Sequence, residues 1–209
     1  LIQTGPDPTI QTCNLGVLHP YPAGGPTITN WTGAVDTDWS NAGNWDACVP
    51  DATYDAIIPL GMPNDPVIFP TVTADCKDID IADGATLTVQ STGTGAGTQS
   101  GSLITAGNIV NSGGGIYQRS YMGQQWHTIS APVNGALSGM FTGYLLQYLD
   151  EGTDMWVDIV PTTVPLIAGQ GFALWNNQAP GGAQMANFMG TFNNGPVFPP
   201  VAFTTNGWN

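Results

Sequence analysis

The chain has 209 residues, a formal net charge of −13 and only two basic side chains, Lys77 and Arg119, with 8 % of residues charged against about 25 % in ordinary globular domains. So small a cationic complement excludes nucleic acid, anionic membrane surfaces and phosphate clamps as partners, and no apolar run approaches the roughly 18 residues of a membrane helix, so no membrane insertion is expected. With 28 Gly, 17 Pro, one Glu and 24 Thr against 8 Ser, the residues of long amphipathic helices are missing and those of strands and turns abound, which predicts an all-β protein.

Residues 1–29 carry Pro6, Pro8, Pro20, Pro22 and Pro26, which forbid helix and confine any strand to a sheet edge. The segment reads as an extended N-terminal arm or a linker, with Leu1, Ile2, Ile10, Leu15, Val17 and Leu18 as its apolar contacts. The chain opens on Leu1 without Met or signal peptide, so it reads as a processed or excised piece.

Residues 30–115 hold ten of the fifteen acids. Asp78-Ile79-Asp80-Ile81 alternates with period two, and so does Thr86-Leu87-Thr88-Val89-Gln90 after the Asp83-Gly84 turn; both read as half-buried strands. Apolar pairs return at Leu103-Ile104 and Ile109-Val110. Brief strands at short spacing predict a small Trp-rich β-domain, either a β-solenoid or a sandwich with tight turns. The Gly-rich run 93–101 reads as a flexible loop, with no helix after it to make a dinucleotide-binding turn.

From residue 116 to 209 the strands become aromatic-rich. Candidates are 116–121, 126–130, 144–149, 155–159, 171–175, 187–192 and 201–205, with a hairpin loop at Asp150-Glu151-Gly152-Thr153-Asp154. Seven strands in so short a span describe an antiparallel β-sandwich.

WTGAVDTDWSNAGNWDACVPDATYDAIIP (residues 31–59) and CKDIDIADGATLTV (76–89) resemble the Trp-rich β-domain of secreted Bacteroidetes surface proteins exported by the type IX route with a C-terminal sorting domain. YQRSYMGQQWHTISAPV (117–133), LLQYLDEGTDMWVDI and LIAGQGFALW are similar to the sandwich that follows it. The resemblance spans residues 30–209 and implies a secreted, extracellular or cell-surface location. It also implies a disulfide between Cys48 and Cys76, and leaves Cys13 as an intermolecular bridge or a buried thiol. The family sandwich continues beyond the N-G-W-N at which this chain stops, while NLGVLHPYPA (14–23) loosely echoes the missing segment. This difference implies either a sandwich without its closing strand, completed by the arm of a neighbouring copy, or a proteolytic boundary that happens to fall there.

The expected function is therefore structural: a subunit of an extracellular filament that assembles head-to-tail with copies of itself. The alternative is a monomeric adhesion or carbohydrate-binding module. Stacking of sugars on Trp31, Trp39, Trp156 and Trp175 would serve the latter and make surface glycans its partners. Asp36, Asp38 and Ser40 place oxygens at positions one, three and five, a candidate Ca²⁺ loop, although Asn41 and Ala47 stand where an EF-hand needs Gly and Glu; the other reading is a solvated acidic loop capped by Trp31, Trp39 and Trp45. No other cofactor is implied. No enzyme is expected: His127 and Ser130 project to opposite faces of one strand, and no GxSxG elbow exists. Asn30-Trp31-Thr32 matches a glycosylation sequon.

Overall fold

The computed structural model describes residues 27–94, 97–111 and 113–198, and all of its regular elements are strands apart from two single-turn 3-10 helices, Ala42–Asn44 and Ser138–Phe141. Residues 1–26 of the N-terminal arm, Cys13 among them, and the 201–205 strand of the sequence reading lie outside the described residues, and the arm's boundary at residue 29 falls inside the first strand, Ile28–Asn30.

The first half is a parallel β-solenoid. Its first coil holds β1 (Ile28–Asn30), and the second holds β2 (Asp55–Ile58), β3 (Val67–Ile68) and β4 (Thr73–Cys76). The third runs through β5 (Ile79–Ile81), β6 (Thr86–Val89), the excursion β7 (Ser91–Thr94) to β8 (Gly97–Ser100), and β9 (Ser102–Thr105). The fourth begins with β10 (Ile109–Asn111) and enters β11 (Gly114–Met122). Coil stacks on coil in three parallel ladders: β1-β2-β5-β10, β3-β6-β11 and β4-β9. Period-two alternation turns every second residue inward, and the register superposes them: Ala56 on Ile79, Ile58 on Ile81, Ile68 on Val89. All six are buried, and each large aliphatic contributes about 1.5–3 kcal/mol by leaving water.

An open solenoid end would expose that core. Here the first coil closes it with Trp31, Trp39 and Trp45, packed edge-to-face with centroids 5.2 and 4.8 Å apart. Asn44 fixes the loop around them. Its side chain donates to Asp36 Oδ1 (2.6 Å) and the Asp38 carbonyl (2.9 Å), and accepts from the backbone N–H groups of Val35 and Asp36.

The second half is an antiparallel sandwich. One sheet has the order β12 (Trp126–Ile129), β16 (Phe172–Asn176), β14 (Tyr144–Asp150), β15 (Met155–Asp158). The other carries β17 (Ala183–Phe192) and β13 (Val133–Asn134) beside β11. β11 serves both halves: its start pairs in parallel with β6, and most of its length pairs antiparallel with β17. The sequence boundary at 115/116 thus falls inside a strand, and one apolar cluster runs from Trp31 through Leu87 to Phe172, Phe188 and Phe192. The Gly-rich run read as a flexible loop is instead the β7–β8 hairpin. Its Ser91 hydroxyl receives the Ser120 N–H of β11 at 3.0 Å, and a Cβ at Gly93 would press on Ala183 and Ser120. Small residues there allow the hairpin to lie against the sandwich.

Candidate functional site

The outer face of the four-stranded sheet is shaped by strand parity. Phe172, Leu174 and Asn176 of β16 are buried, so Ala173 and Trp175 face outward. The register carries this parity across all four strands. Thr128, Ala173, Gln147 and Asp158 form one straight outward row. Two residues away on one side lie Trp126, Trp175 and Leu145; two residues away on the other lie Leu149 and Trp156. Small and polar side chains therefore make a floor between aromatic ridges, and a cavity of about 310 Å³ opens there between Trp126 and Trp156. Both indoles are half exposed, at 53 % and 52 %. Trp126 leans on Trp175, with ring centroids 5.5 Å apart. On the floor, the Gln147 amide donates to Asp158 Oδ1 at 2.7 Å.

A second feature lies on the opposite sheet. β17 pairs with β11 along residues 183–190, but on its other side β13 reaches only Thr191 and Phe192. Among the described residues no strand pairs with that outer edge from 183 to 190. The strand, AQMANFMGTF, has neither charge nor proline, the devices by which natural edges resist pairing. Met185 and Met189 stand exposed on it.

The model of one family, Domain of unknown function (DUF8693), matches residues 30–208. The chain belongs to this family. No curated protein and no solved structure matches it. The DUF8693 match runs without a break through solenoid and sandwich, in keeping with the strand they share.

Several residues singled out from the sequence of the DUF8693 chain are placed differently by its fold. Cys48 is disulfide-bonded, but not to Cys76, which is a free, buried thiol. The physical reason is their separation into different clusters: Cys76 points into the solenoid core from β4, whereas Cys48 packs with Tyr54 outside it. Burial pushes the Cys76 thiol up to about 12, with Asp75, Asp78 and Asp55 adding to the effect.

Trp31 and Trp39 are core residues, each 1 % exposed, so neither offers a face to a sugar. Trp156 and Trp175 do lie on the outward face. Trp126, absent from the sequence reading, completes it; the signal was the parity of Trp126-His127-Thr128-Ile129, in which an inward Ile129 turns Trp126 outward. The Asp36-Thr37-Asp38-Trp39-Ser40 oxygens do not open into a cation cage. Asp36 accepts from Asn44, Asn41 and the Asp38 N–H, and Asp38 accepts from the Ser40 N–H. Those bonds, with Asn44 foremost, hold the Asp36 carboxyl below its ordinary value. Among the described residues no group of three or more His, Cys, Asp or Glu is arranged to hold a metal.

His127 turns inward, its ring 3.0 Å from the Met122 carbonyl, while the exposed Ser130 receives the Gly169 N–H. Asp150 at the hairpin tip accepts from Gly152 and Thr153 and so serves the turn. Asn30 of the sequon donates its amide to Asp46 at 2.8 Å.

Proposed function

We propose that the DUF8693 chain is the subunit of an extracellular, cell-surface fibre that assembles head-to-tail by β-strand addition. In this reading it is a structural protein and not an enzyme. The supporting observation is the outer edge of β17: ten residues long, uncharged, and paired on that side, among the described residues, only at its last two residues. An edge of this kind is a template for backbone pairing. A strand donated by the next copy is a heterologous contact, which propagates into a fibre when it does not close a ring. The similarity of the Trp-rich and sandwich motifs to type IX-exported surface proteins supports the extracellular setting. Leu1, Ile2, Ile10, Leu15, Val17 and Leu18 supply the apolar pattern for the donor. The second reading, an adhesion or carbohydrate-binding module, draws on the aromatic cavity of the other sheet.

Negative-stain microscopy of native material is the test. Fibres are expected from the wild-type chain, and their loss is expected from Met185→Lys/Met189→Lys and from removal of residues 1–20. Both methionines are exposed, so the double variant should keep its melting transition. Monodisperse monomers from the wild type, or unchanged fibres from either variant, would defeat the proposal.

A further inference from the structure

From the outer face of the β12-β16-β14-β15 sheet, we infer that the cavity between Trp126 and Trp156 is a binding site for a neutral glycan chain. The shape follows from the register. The floor row Thr128, Ala173, Gln147 and Asp158 crosses all four strands, and the two tryptophans stand two residues to either side of it. Four residues of extended chain separate the ridges by about 14 Å, so an object lying in the trough meets an aromatic side chain on each flank. Ala173 keeps the floor low at its centre. At Gly171, in the row of Leu149 and Trp156, an added Cβ would meet nothing within 4 Å, so the trough is open there.

The chemistry of the lining selects the ligand class. Half-exposed indoles present apolar, electron-rich faces, to which the C–H face of a pyranose is complementary. Between them the floor offers hydroxyl partners. Asp158 uses Oδ1 to hold Gln147, and among the described residues Asp158 Oδ2, Gln147 Oε1 and Thr128 Oγ1 have no hydrogen-bond partner. A carboxylate oxygen, an amide oxygen and a hydroxyl suit a ligand that is rich in O–H donors.

Charge narrows the class further. The chain has two cations. Lys77 is committed to Asp55 and Asp78 on the solenoid, and Arg119 lies on β11 of the opposite sheet, over Tyr117 with its Cζ 5.0 Å from the ring centroid. The trough, lined also by His127, therefore has a carboxylate and neither Lys nor Arg, which disfavours uronates, sulfates and phosphates. The site lies on the other sheet from the β17 edge, so it stands or falls independently of fibre assembly.

The test uses the full chain and intrinsic tryptophan fluorescence, followed by calorimetry. The probes are cellohexaose, laminarihexaose, mannohexaose and xylohexaose as neutral oligosaccharides, with oligogalacturonate as the anionic one. At least one neutral hexaose should perturb the fluorescence and bind, and oligogalacturonate should not. Trp126→Ala and Trp156→Ala should each weaken that binding by about tenfold or more while leaving the melting transition in place. Gln147→Ala should weaken it less, with both indoles retained. Absence of binding to all four neutral probes at millimolar concentration would overturn the site, as would preference for the anionic probe or wild-type affinity in both Trp variants. A change of oligomeric state in Trp126→Ala without any glycan effect would assign the trough to contact between copies and would overturn it equally.

Discussion

Asn44 and Tyr144 show how burial acts in opposite directions on polar side chains. Asn44 is fully buried and its amide is saturated by four bonds around the Trp cap. Asn44→Ala leaves the backbone N–H groups of Val35 and Asp36 unpaired and takes one donor each from Asp36 Oδ1 and the Asp38 carbonyl, and urea titration should show a loss of about 2–4 kcal/mol. The Tyr144 hydroxyl is buried without a partner among the described residues, and burial pushes its ionisation up to about 12. Tyr144→Phe removes the unpaired group and keeps the ring contacts with Tyr121 and Phe141, so stability should hold or rise by up to about 1 kcal/mol. The acid limb of stability belongs to Asp36 and Asp78. Asp36 is held down chiefly by Asn44, and Asp78 chiefly by the Asn108 N–H. A depressed folded value means that their contribution is complete above the unfolded value near 3.9 and is lost as pH falls through the folded one. Melting temperature should therefore stay level from neutrality to about pH 4 and drop below it, with a shallower drop in Asp36→Asn. On the alkaline side the signs reverse for Lys77, raised chiefly by its bond to Asp55, and for the buried Cys76 thiol. Both favour the protonated native state, and that preference fades above about pH 8.5 for the thiol and about 10.4 for the amine.

β17 carries a backbone constraint as well as an open edge. Gly190 has φ of +156°, and a Cβ there would collide with the Asn134 carbonyl. The close approach lets β13 pair with Thr191 and Phe192 and ends the free edge. Gly190→Ala should cost about 1–3 kcal/mol in thermal or urea unfolding, by parting β13 from β17. Gly33 plays the corresponding part at the Trp cap. With φ of +56° its Cβ position falls on the Asn64 carbonyl, and the same Asn64 carbonyl accepts the Trp31 indole N–H at 2.7 Å. Strand existence was legible in the sequence wherever alternation was clear. Asp80 and Thr88 face away from the buried Ile79, Ile81, Leu87 and Val89, and the 126–130, 144–149, 155–159 and 171–175 readings match β12, β14, β15 and β16 to within one residue at each end. The β7–β8 hairpin was not legible, because its Gly, Ser and Thr carry no apolar period and its support comes from β11.

The whole molecule behaves as one body because β11 belongs to both halves and the core is continuous across it. Unfolding followed by tryptophan fluorescence and by far-ultraviolet dichroism should give one coincident transition. A chain cut at 115/116 should leave neither part folded, since the solenoid loses its last ladder strand and the sandwich loses the partner of β17. The sequence by itself determined the all-β class and the positions of the strands with clear alternation, because propensity and two-residue periodicity are local. It could not determine which coil stacks on which, that Cys76 is a core thiol, that Trp31 and Trp39 are buried, or that Trp126 and Trp156 flank one cavity. Those are matters of register between strands far apart in the chain, where a shift of one residue turns every side chain to the other face, and only the folded structure sets that register.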